Sequence, residues 1–410
     1  MRICNTRSLL AVTICILCTC CAYSDIWDPV ALPFTPEIGS GLGFSLDAFG
    51  AAGFTFRSIT GVKGLYYAYD YGFGWQADLI EPGMGTGSGS SLVYDGLTPH
   101  ISYAADHLVS RGVNYATGRC GAWSTTVVGA DTGEPRHTVI GLDSNHNPAI
   151  AWLDQTSLAF YDETVEFAYH NGMGWSSVET VASAPYVPRI SGGLALLLPG
   201  TGDEAQLLYA EEPFFGMPVP PVHAIRGPGG WAKDVGLHGT STNVYAAYIA
   251  GTLNDEGHPA LCYYTTYDPD GTSDLVYAEF NGTGWITETV DTIPLQTSYG
   301  DRNYLDIARD QWGNVHLLYL NPELDRVQYR YRSAAGTWSN EIVIHDSAAS
   351  WLHLDLDEAG TPWFAYVGDT DSRVYYGYGE AVPEPGTILL IATGLLSGWG
   401  MLRKQRTGRE

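Results

Sequence analysis

The feature that most constrains the fold is a glycine-containing turn followed by tryptophan, which occurs six times at intervals of 48 to 56 residues. The six tryptophans, here called the marker tryptophans, are Trp75, Trp123, Trp175, Trp231, Trp285 and Trp338. A repeat of this length suits one four-stranded blade of a β-propeller. The sequence therefore favours an all-β fold made of copies of one blade.

Composition agrees with this interpretation. The chain contains 49 Gly, 27 Tyr and 12 Trp, and only 16% of its residues are charged. Such a composition favours many short strands joined by tight turns over an all-helical fold. The excess of 45 acidic over 20 basic residues gives a net charge of −25. A charge of this sign would repel phosphate backbones, so a nucleic-acid partner is disfavoured.

Each repeat is predicted to contain four strands. A turn with Asp or Asn in its first position and Gly in its fourth recurs at 47–50, 254–257, 310–313 and 357–360. These residues are typical of a type I turn, and we expect them to join the first two strands of a blade. An apolar strand and a third strand with alternating large residues follow, and the marker tryptophan opens the fourth.

The seventh repeat is incomplete at its end. It has segments for three strands at 351–355, 362–367 and 373–378 but none for a fourth. Residues 26–30, with Trp27 and Val30, show the tryptophan-to-valine pattern of a fourth strand near the other end of the chain. We predict that this N-terminal strand closes the last blade and removes exposed sheet edges. The prediction is a seven-bladed β-propeller, and six blades with Trp27 unpaired is the alternative.

Residues 1–24 have the layout of a secretory signal peptide. Arg2 and Arg7 precede an uncharged apolar stretch, which ends in small residues that suit a cleavage site. Five of the seven cysteines lie in this segment, and only Cys120 and Cys262 remain in the predicted body, residues 25–380. No disulfide framework is expected, although the sequence allows one bridge between these two cysteines.

The C-terminal segment, residues 381–410, has three parts. The motif Pro383, Glu384 and Pro385 is followed by an uncharged stretch at 386–402 and by the basic cluster Arg403, Lys404 and Arg406. Seventeen helical residues extend about 26 Å, which is within the range for a transmembrane helix. The basic cluster should stay in the cytoplasm, which places the body on the other side of the membrane.

This arrangement resembles the PEP-CTERM sorting signal of Gram-negative bacteria that produce exopolysaccharide. The resemblance rests on Pro383, Glu384 and Pro385, the apolar stretch and the Arg403, Lys404 and Arg406 cluster. It implies a membrane-embedded exosortase as a partner, which removes the tail. The protein would be anchored transiently in the inner membrane and then reach the cell surface or the extracellular space.

The body, roughly residues 40–380, resembles the BNR/sialidase-like propellers. The Asp-box of that group reads Ser-x-Asp-x-Gly-x-Thr-Trp, whereas two residues separate Asp from Gly here and Thr-Trp is not kept. The resemblance therefore implies the architecture and transfers no catalytic residue.

Residue types suited to glycan chemistry are present without a recognisable arrangement. A sialidase-like site would need arginines to converge, from Arg57, Arg111, Arg136, Arg189, Arg226, Arg302 and Arg373. A lyase would need a base such as His100, His107, His223, His238 or His316. We expect His316 to be a packed strand residue and the other four to lie in loops. The three carboxylates in 268–274 lack the spacing of a calcium loop, so no metal or cofactor is expected.

Departures from the repeat point to a binding surface. The longest connections between second and third strands are predicted at 154–164, 211–221 and 265–274. Aromatic residues in two of them, Phe160, Tyr161, Phe214 and Phe215, form a candidate ligand rim for an extracellular polysaccharide or a surface protein. The sequence thus favours an exported non-catalytic binding or structural protein. The alternative is a secreted glycan-active enzyme, either a sialidase-like glycosidase or a polysaccharide lyase.

Overall fold

A computed structural model describes residues 27, 29–33, 38–59, 61–106, 111–130, 133–155, 163–183, 193–200, 204–210, 221–234, 245–266, 272–294, 303–321 and 323–380. These residues form 28 β-strands and no α-helix. The strands make seven antiparallel sheets of four strands each. The predicted seven-bladed, all-β architecture is confirmed, and the six-bladed alternative is wrong.

The strands are numbered in chain order, and each sheet is one blade. The first strand, β1 (Val30–Ala31), belongs to the last blade. Blade one consists of β2 (Ile38–Leu46), β3 (Ala52–Ser58), β4 (Gly64–Tyr69) and β5 (Gln76–Pro82). Blade two consists of β6 (Ser88–Asp95), β7 (Thr98–Asp106), β8 (Arg111–Arg119) and β9 (Ala122–Ala130). Blade three consists of β10 (Glu134–Leu142), β11 (Pro148–Gln155), β12 (Glu163–Tyr169) and β13 (Glu179–Ser183).

Four further blades complete the ring. They consist of β14 (Leu194–Leu197), β15 (Gln206–Ala210), β16 (Pro221–Gly227) and β17 (Gly230–Asp234); β18 (Tyr245–Leu253), β19 (Pro259–Thr266), β20 (Thr272–Phe280) and β21 (Trp285–Pro294); β22 (Leu305–Arg309), β23 (Val315–Asn321), β24 (Arg326–Arg332) and β25 (Ile342–His345); and β26 (Ala349–Leu356), β27 (Pro362–Gly368) and β28 (Val374–Tyr378) with β1. The first strands of neighbouring blades contact one another all the way round, from β2 and β6 to β26 and β2. These inner strands therefore surround the propeller axis.

The N-terminal strand closes the ring, as predicted. Val30 pairs with Tyr376 and Ala31 pairs with Tyr375, so β1 is the fourth strand of the seventh blade. This strand is shorter than the predicted segment 26–30 and begins later. Trp27 precedes it and packs against Tyr329 of the sixth blade at a ring-centroid distance of 4.7 Å.

The recurrent Asp-x-x-Gly turns join the first and second strands, as predicted. In the turn at 47–50, Asp47 Oδ1 accepts hydrogen bonds from the backbone N–H groups of Phe49 and Ala51, both at 2.9 Å. Gly50 donates its N–H to the Asp47 carbonyl and has a φ of +75°. Glycine adopts this left-handed conformation without the strain that a Cβ would add. The sequence motif is therefore explained by local turn chemistry.

The marker tryptophans join neighbouring blades. Each ring packs against an aromatic or histidine ring on the third strand of the preceding blade, and Trp27 does the same for the seventh blade. The pairs are Trp75–Tyr376, Trp123–Tyr67, Trp175–Tyr115, Trp231–Phe167, Trp285–His223, Trp338–Tyr277 and Trp27–Tyr329. Centroid distances of 4.7 to 5.7 Å lie in the favourable range for ring pairs. The tryptophan repeat is therefore explained by the packing of neighbouring blades.

Carboxylates strengthen several of these contacts between blades. Glu288 on β21 accepts the indole N–H of Trp338 at 3.0 Å and also pairs with Arg332. Glu179 on β13 accepts the indole N–H of Trp231 at 3.0 Å and pairs with Arg226 at 2.7 Å. The core thus consists of apolar clusters between blades, bordered by charge-assisted hydrogen bonds.

The two ends of the propeller differ. The turn face, as we call it, carries the turns between first and second strands, such as 47–51, and between third and fourth strands, such as 70–75. The opposite end, the loop face, carries the starts of the inner strands and the connections between second and third strands. Because β1 starts and β28 ends at the turn face, both ends of the described body lie there.

Several expectations concern segments outside the described residues. The predicted signal peptide at 1–24 and the predicted transmembrane helix at 386–402 both lie there. Within the described part of the chain, no helix is long and apolar enough to span a bilayer. Cys120 is exposed and Cys262 is buried, and both are free, so the disulfide that the sequence allowed is not formed.

Candidate functional site

A cavity of about 210 Å³ lies on the propeller axis, towards the loop face. All seven blades contribute lining residues, most of them from the first half of an inner strand. The side chains that can form hydrogen bonds in this axial cavity include those of Ser91, Arg136, His137, Gln155, Glu163, Asp306 and His353. Leucine and isoleucine side chains from four blades form the apolar part of the wall. A concave site with few polar groups among apolar ones is typical of a small-molecule site.

Bulges in the inner strands shape the wall of the axial cavity. The pairing register shifts in the inner strands of five blades, among them β6 and β26. At the bulge of β6, Gly89 has a φ of +54°, and a Cβ there would lie only 2.1 Å from the Arg136 carbonyl oxygen. Only glycine allows the backbones of the second and third blades to approach so closely.

Trp351 occupies the corresponding bulge of β26. Its φ is +55°, in the left-handed region that bulky residues rarely adopt. The residue lines the axial cavity and is 8% exposed. Unlike the marker tryptophans it lies on an inner strand, and blades one and two have glycine at this point. Tyr248 at the bulge of β18 has a similar φ of +53°, so the strained conformation belongs to the bulge, and Trp351 is distinguished by its place in the cavity wall.

Asp306 and His353 face each other across the sixth and seventh blades. Asp306 Oδ2 lies 3.8 Å from His353 Nδ1 and accepts the backbone N–H of Leu354 at 2.9 Å. Burial raises the pKa of Asp306 to about 7, against the opposing effect of its backbone hydrogen bonds. Burial, with a smaller effect from His137, lowers the pKa of His353 to about 4. At neutral pH the histidine is uncharged and Asp306 is partly protonated.

The charges of the axial cavity nearly balance. Arg136 and Glu163 carry opposite charges, and the Asp306–His353 pair carries at most one negative charge. This local balance contrasts with the net charge of −25 for the whole chain. The cavity is therefore better suited to an uncharged polar ligand than to a strongly charged one.

The third blade links the axial cavity to the predicted rim. Gln155 and Glu163 pair directly across β11 and β12, and both line the cavity. They flank the segment 156–162, in which Phe160 and Tyr161 lie outside the described residues. Phe214 and Phe215 also lie outside them, so the candidate rim stays a prediction.

The histidines named from the sequence lie elsewhere. His316 is fully buried in β23, as predicted, with Nδ1 2.6 Å from the Tyr329 hydroxyl. The loop prediction is wrong for His100 in β7 and His223 in β16, which are buried strand residues. Each has a partner on a neighbouring strand, since His100 Nδ1 lies 2.6 Å from the Tyr115 hydroxyl and His223 Nε2 lies 2.9 Å from Gln206 Oε1. His107 and His238 lie outside the described residues.

The arginine candidates whose side chains the structure describes do not converge on the axis, and Arg189 and Arg302 lie outside the described residues. Arg136 lines the axial cavity, whereas Arg57 hydrogen-bonds Ser88 and Arg226 pairs with Glu179 on an outer strand. Within the described ranges, no group of three His, Cys, Asp or Glu side chains is placed to hold a metal ion. Most of 268–274 lies outside those ranges. The cavity residues Asp306, Trp351 and His353 were missed, although a tryptophan off the marker position was a usable signal.

Comparisons with known proteins concern the tail and the fold. The PEP-CTERM protein-sorting motif matches residues 381–404. This match contains Pro383, Glu384, Pro385, Arg403 and Lys404, whereas Arg406 lies beyond it. No curated protein matches the chain. The motif indicates a protein that is exported and sorted through a membrane-anchored stage.

Solved propellers resemble the body. A PL25 ulvan lyase has a TM-score of 0.55 and 11% identity, over 87% of this chain and 96% of the lyase. The polysaccharide lyase Uly1 has a TM-score of 0.53 and 11% identity, over 85% and 91%. A lectin from Aleuria aurantia has a TM-score of 0.48 and 13% identity, over 77% and 99%. At these identities the likeness concerns the fold alone. The chain is a seven-bladed β-propeller with a PEP-CTERM protein-sorting motif.

Proposed function

We propose that the protein is an exported, non-catalytic glycan-binding propeller that holds one neutral sugar unit in the axial cavity. The observation that carries this proposal is one cavity on which seven inner strands converge. Its wall holds Trp351 and hydrogen-bonding side chains whose charges nearly balance. Sugar hydroxyl groups both donate and accept hydrogen bonds. Neutral His353 and Gln155 offer both kinds of group.

The size of the axial cavity limits the ligand. A volume of about 210 Å³ lies below the roughly 300–1,000 Å³ of pockets for drug-sized ligands, so the ligand in it must be small. This space suits one sugar unit and is too small for several consecutive units. A polysaccharide would therefore insert a chain end or a branch, and its remaining units would lie over the loop face. The predicted rim residues Phe160, Tyr161, Phe214 and Phe215 would contact these units, because the strands that flank 156–162 and 211–220 end at this face.

Filling the axial cavity should abolish binding without unfolding the blade. Ala195 lines the cavity from the inner strand of the fourth blade. We expect Ala195→Leu to weaken binding at least about tenfold, because the added carbons occupy the ligand's space. The measurement is titration of the protein with neutral oligosaccharides and, separately, with uronate oligosaccharides.

The matched control is Ala232→Leu. Ala232 is exposed on β17, the outermost strand of the same blade, so this variant should bind like the natural protein. Equal loss in both variants would point to a general effect on the blade. If the Ala195→Leu variant binds neutral oligosaccharides as well as the natural protein does, the axial cavity is not the binding site. If the natural protein binds only uronate oligosaccharides, the ligand is not neutral.

The second candidate is a glycan-active enzyme. The observation that favours it is the Asp306–His353 pair, in which burial shifts the two pKa values in opposite directions and leaves one group able to donate a proton and the other to accept one. The same oligosaccharides decide between the candidates. New reducing ends or unsaturated uronate products that disappear in His353→Gln would favour the enzyme, whereas binding without cleavage favours the binding protein.

The sorting route is a further part of the proposal. We assign 1–24 to a signal peptide, 25–380 to the propeller and 381–410 to the sorting segment, with a transmembrane helix at 386–402. An exosortase would recognise Pro383, Glu384 and Pro385, and Arg403, Lys404 and Arg406 would hold the tail in the cytoplasm. Extracellular polysaccharide would then be the partner of the released or surface-bound body.

Replacing Glu384 and Pro385 with alanine should keep the tail on the protein. We expect intact-mass analysis of the protein from its producing cell to show the full C-terminal segment, and fractionation to show retention in the inner membrane. Replacement of Gln405 by alanine, beyond the matched motif, is the control and should leave processing intact. Normal surface delivery of the Glu384 and Pro385 variant would contradict exosortase recognition.

A further inference from the structure

The sorting motif begins directly after the propeller body. Tyr378 ends β28 at the turn face, and Gly379 donates its N–H to the Pro362 carbonyl at 2.8 Å. The matched motif begins at residue 381, and the apolar stretch begins at residue 386. The seven residues from Gly379 to that stretch span at most about 25 Å when fully extended.

This short connection restricts how the body can face a membrane. The seven residues of β27 extend about 23 Å between the turn face and the loop face. A connection of similar length that starts at the turn face cannot also pass around a blade to the loop face. While the chain is anchored through the apolar stretch, the loop face therefore cannot rest on the bilayer, and the turn face is the end of the propeller nearer to it.

Exposed aromatic side chains surround the point where the chain leaves the body. Phe49 is 82% exposed, Phe73 is 91% exposed and Tyr378 is 48% exposed. The Tyr378 ring lies 4.9 Å from the ring of Trp363. We call Phe49, Phe73, Trp363 and Tyr378 the aromatic patch.

Contacts between the first and seventh blades hold this patch together. The turn that carries Phe49 lies against Asp357 of the seventh blade, which Gly50 approaches. Phe73 is two residues from Trp75, whose indole N–H donates to the Tyr376 hydroxyl of β28 at 3.3 Å. Both phenylalanines therefore lie on turns of the first blade that adjoin the seventh blade.

The fold does not require these phenylalanines. The turn at 47–50 depends on Asp47 and Gly50, and the corresponding third position holds Glu256 in the fifth blade and Ala359 in the seventh. The third–fourth strand turn of the fifth blade has Thr283 where the first blade has Phe73. Large apolar side chains kept in water at such positions indicate a contact surface.

We propose that the aromatic patch rests in the headgroup region of a bilayer during the anchored stage, with the axial cavity facing away from it. Aromatic rings favour the membrane–water interface because they combine apolar area with a polarisable ring. The net charge of −25 favours zwitterionic over anionic lipid. The proposal depends on the anchored stage that the sorting motif indicates and is independent of ligand binding in the cavity.

The test uses the full chain in vesicles of zwitterionic phosphatidylcholine. A spin label is attached through p-acetylphenylalanine at position 49 or 73, or at one of two matched control positions, 62 and 84. Val62 and Met84 are exposed apolar residues of the same first blade, 58% and 72% exposed, at the loop face. Collision rates are measured with oxygen, which concentrates in the bilayer, and with a water-soluble nickel chelate.

We expect oxygen collisions to dominate at positions 49 and 73 and nickel collisions to dominate at positions 62 and 84. An unchanged melting temperature for each labelled protein confirms that the body is folded. Dominance of nickel collisions at all four positions would overturn the proposal. Spin–spin broadening between labels at position 73 would also overturn it, because a second copy of the chain would then cover the patch.

Discussion

Replacing Trp27 with alanine should lower the free energy of unfolding by about 3 kcal/mol, because the propeller then loses the aromatic contact that joins its seventh blade to its sixth. The indole packs against Tyr329 of the sixth blade at 4.7 Å and against Phe364 of the seventh at 6.1 Å. It also lies on the backbone of Gly379, where a Cβ would fall 2.1 Å from the ring. Since β1 has only two paired residues, the N-terminal segment is attached largely by the packing of Trp27 and by Leu32, which is buried and donates its N–H to the Val374 carbonyl at 2.9 Å. Urea denaturation measures the loss.

Val30→Ala is the control for Trp27→Ala. Val30 lies on the same strand with 58% of its surface exposed, so its truncation should change stability by less than about 0.5 kcal/mol. A small effect of both variants would mean that the N-terminal strand does not hold the ring closed. A large effect of Val30→Ala would instead indicate that pairing in β1 outweighs the packing of Trp27.

Asp310→Ala should destabilise the sixth blade by about 3–5 kcal/mol, because it leaves buried polar groups without partners. Asp310 Oδ1 accepts the backbone N–H groups of Trp312 at 3.0 Å and Asn314 at 2.8 Å. Its Oδ2 lies 3.4 Å from His316 Nε2, and the other nitrogen of this buried ring lies 2.6 Å from the Tyr329 hydroxyl. Removing the carboxylate interrupts this whole chain of contacts. Thermal and urea denaturation report the change.

The matched control is Asp357→Ala. Asp357 makes the same two turn hydrogen bonds, to Ala359 at 2.9 Å and Thr361 at 2.8 Å, at a partly exposed site without a histidine behind it. We expect a loss of about 1–2 kcal/mol. The difference between the two variants measures the buried network, and equal losses would show that His316 contributes nothing through Asp310.

The pH dependence of Asp310→Ala has a defined sign. Burial alone would raise the pKa of Asp310, but hydrogen bonds from His316 and Asn314 outweigh it and lower this pKa below its ordinary value of 3.8. A carboxylate with a lowered pKa stabilises the folded state above its unfolded pKa and loses this effect as the pH falls through the folded pKa. The stability gap to the natural protein should therefore be constant from about pH 5 to 7 and should narrow below about pH 4.

Much of the fold could be predicted because its signals are local. The turn at 47–50 follows from one Asp side chain that binds two nearby N–H groups and one Gly with positive φ. The marker tryptophans recur because each blade repeats the same contact with its neighbour. Trp27 could be recognised as the seventh of them from this pattern alone, and the closing strand followed.

The histidines show where local signals fail. His100 and His223 were expected in loops, yet both are buried in strands. Their hydrogen-bond partners, Tyr115 and Gln206, lie 15 and 17 residues away. Only strand pairing brings such partners close enough to form the hydrogen bond that a buried imidazole needs.

The sequence alone determined the blade repeat and the sorting signal, since each of these is written in residues that are close together in the chain. The pairing of β1 with β28 decided between six and seven blades. The axial cavity was decided by the tertiary structure, because Arg136, Asp306 and His353 belong to three inner strands and meet only when the ring is closed. Tertiary structure also decided the strained backbone of Trp351 and the position of the turns that carry Phe49 and Phe73 next to the seventh blade. The physical reason is that ring closure brings together side chains whose separation along the chain carries no information about their distance in space.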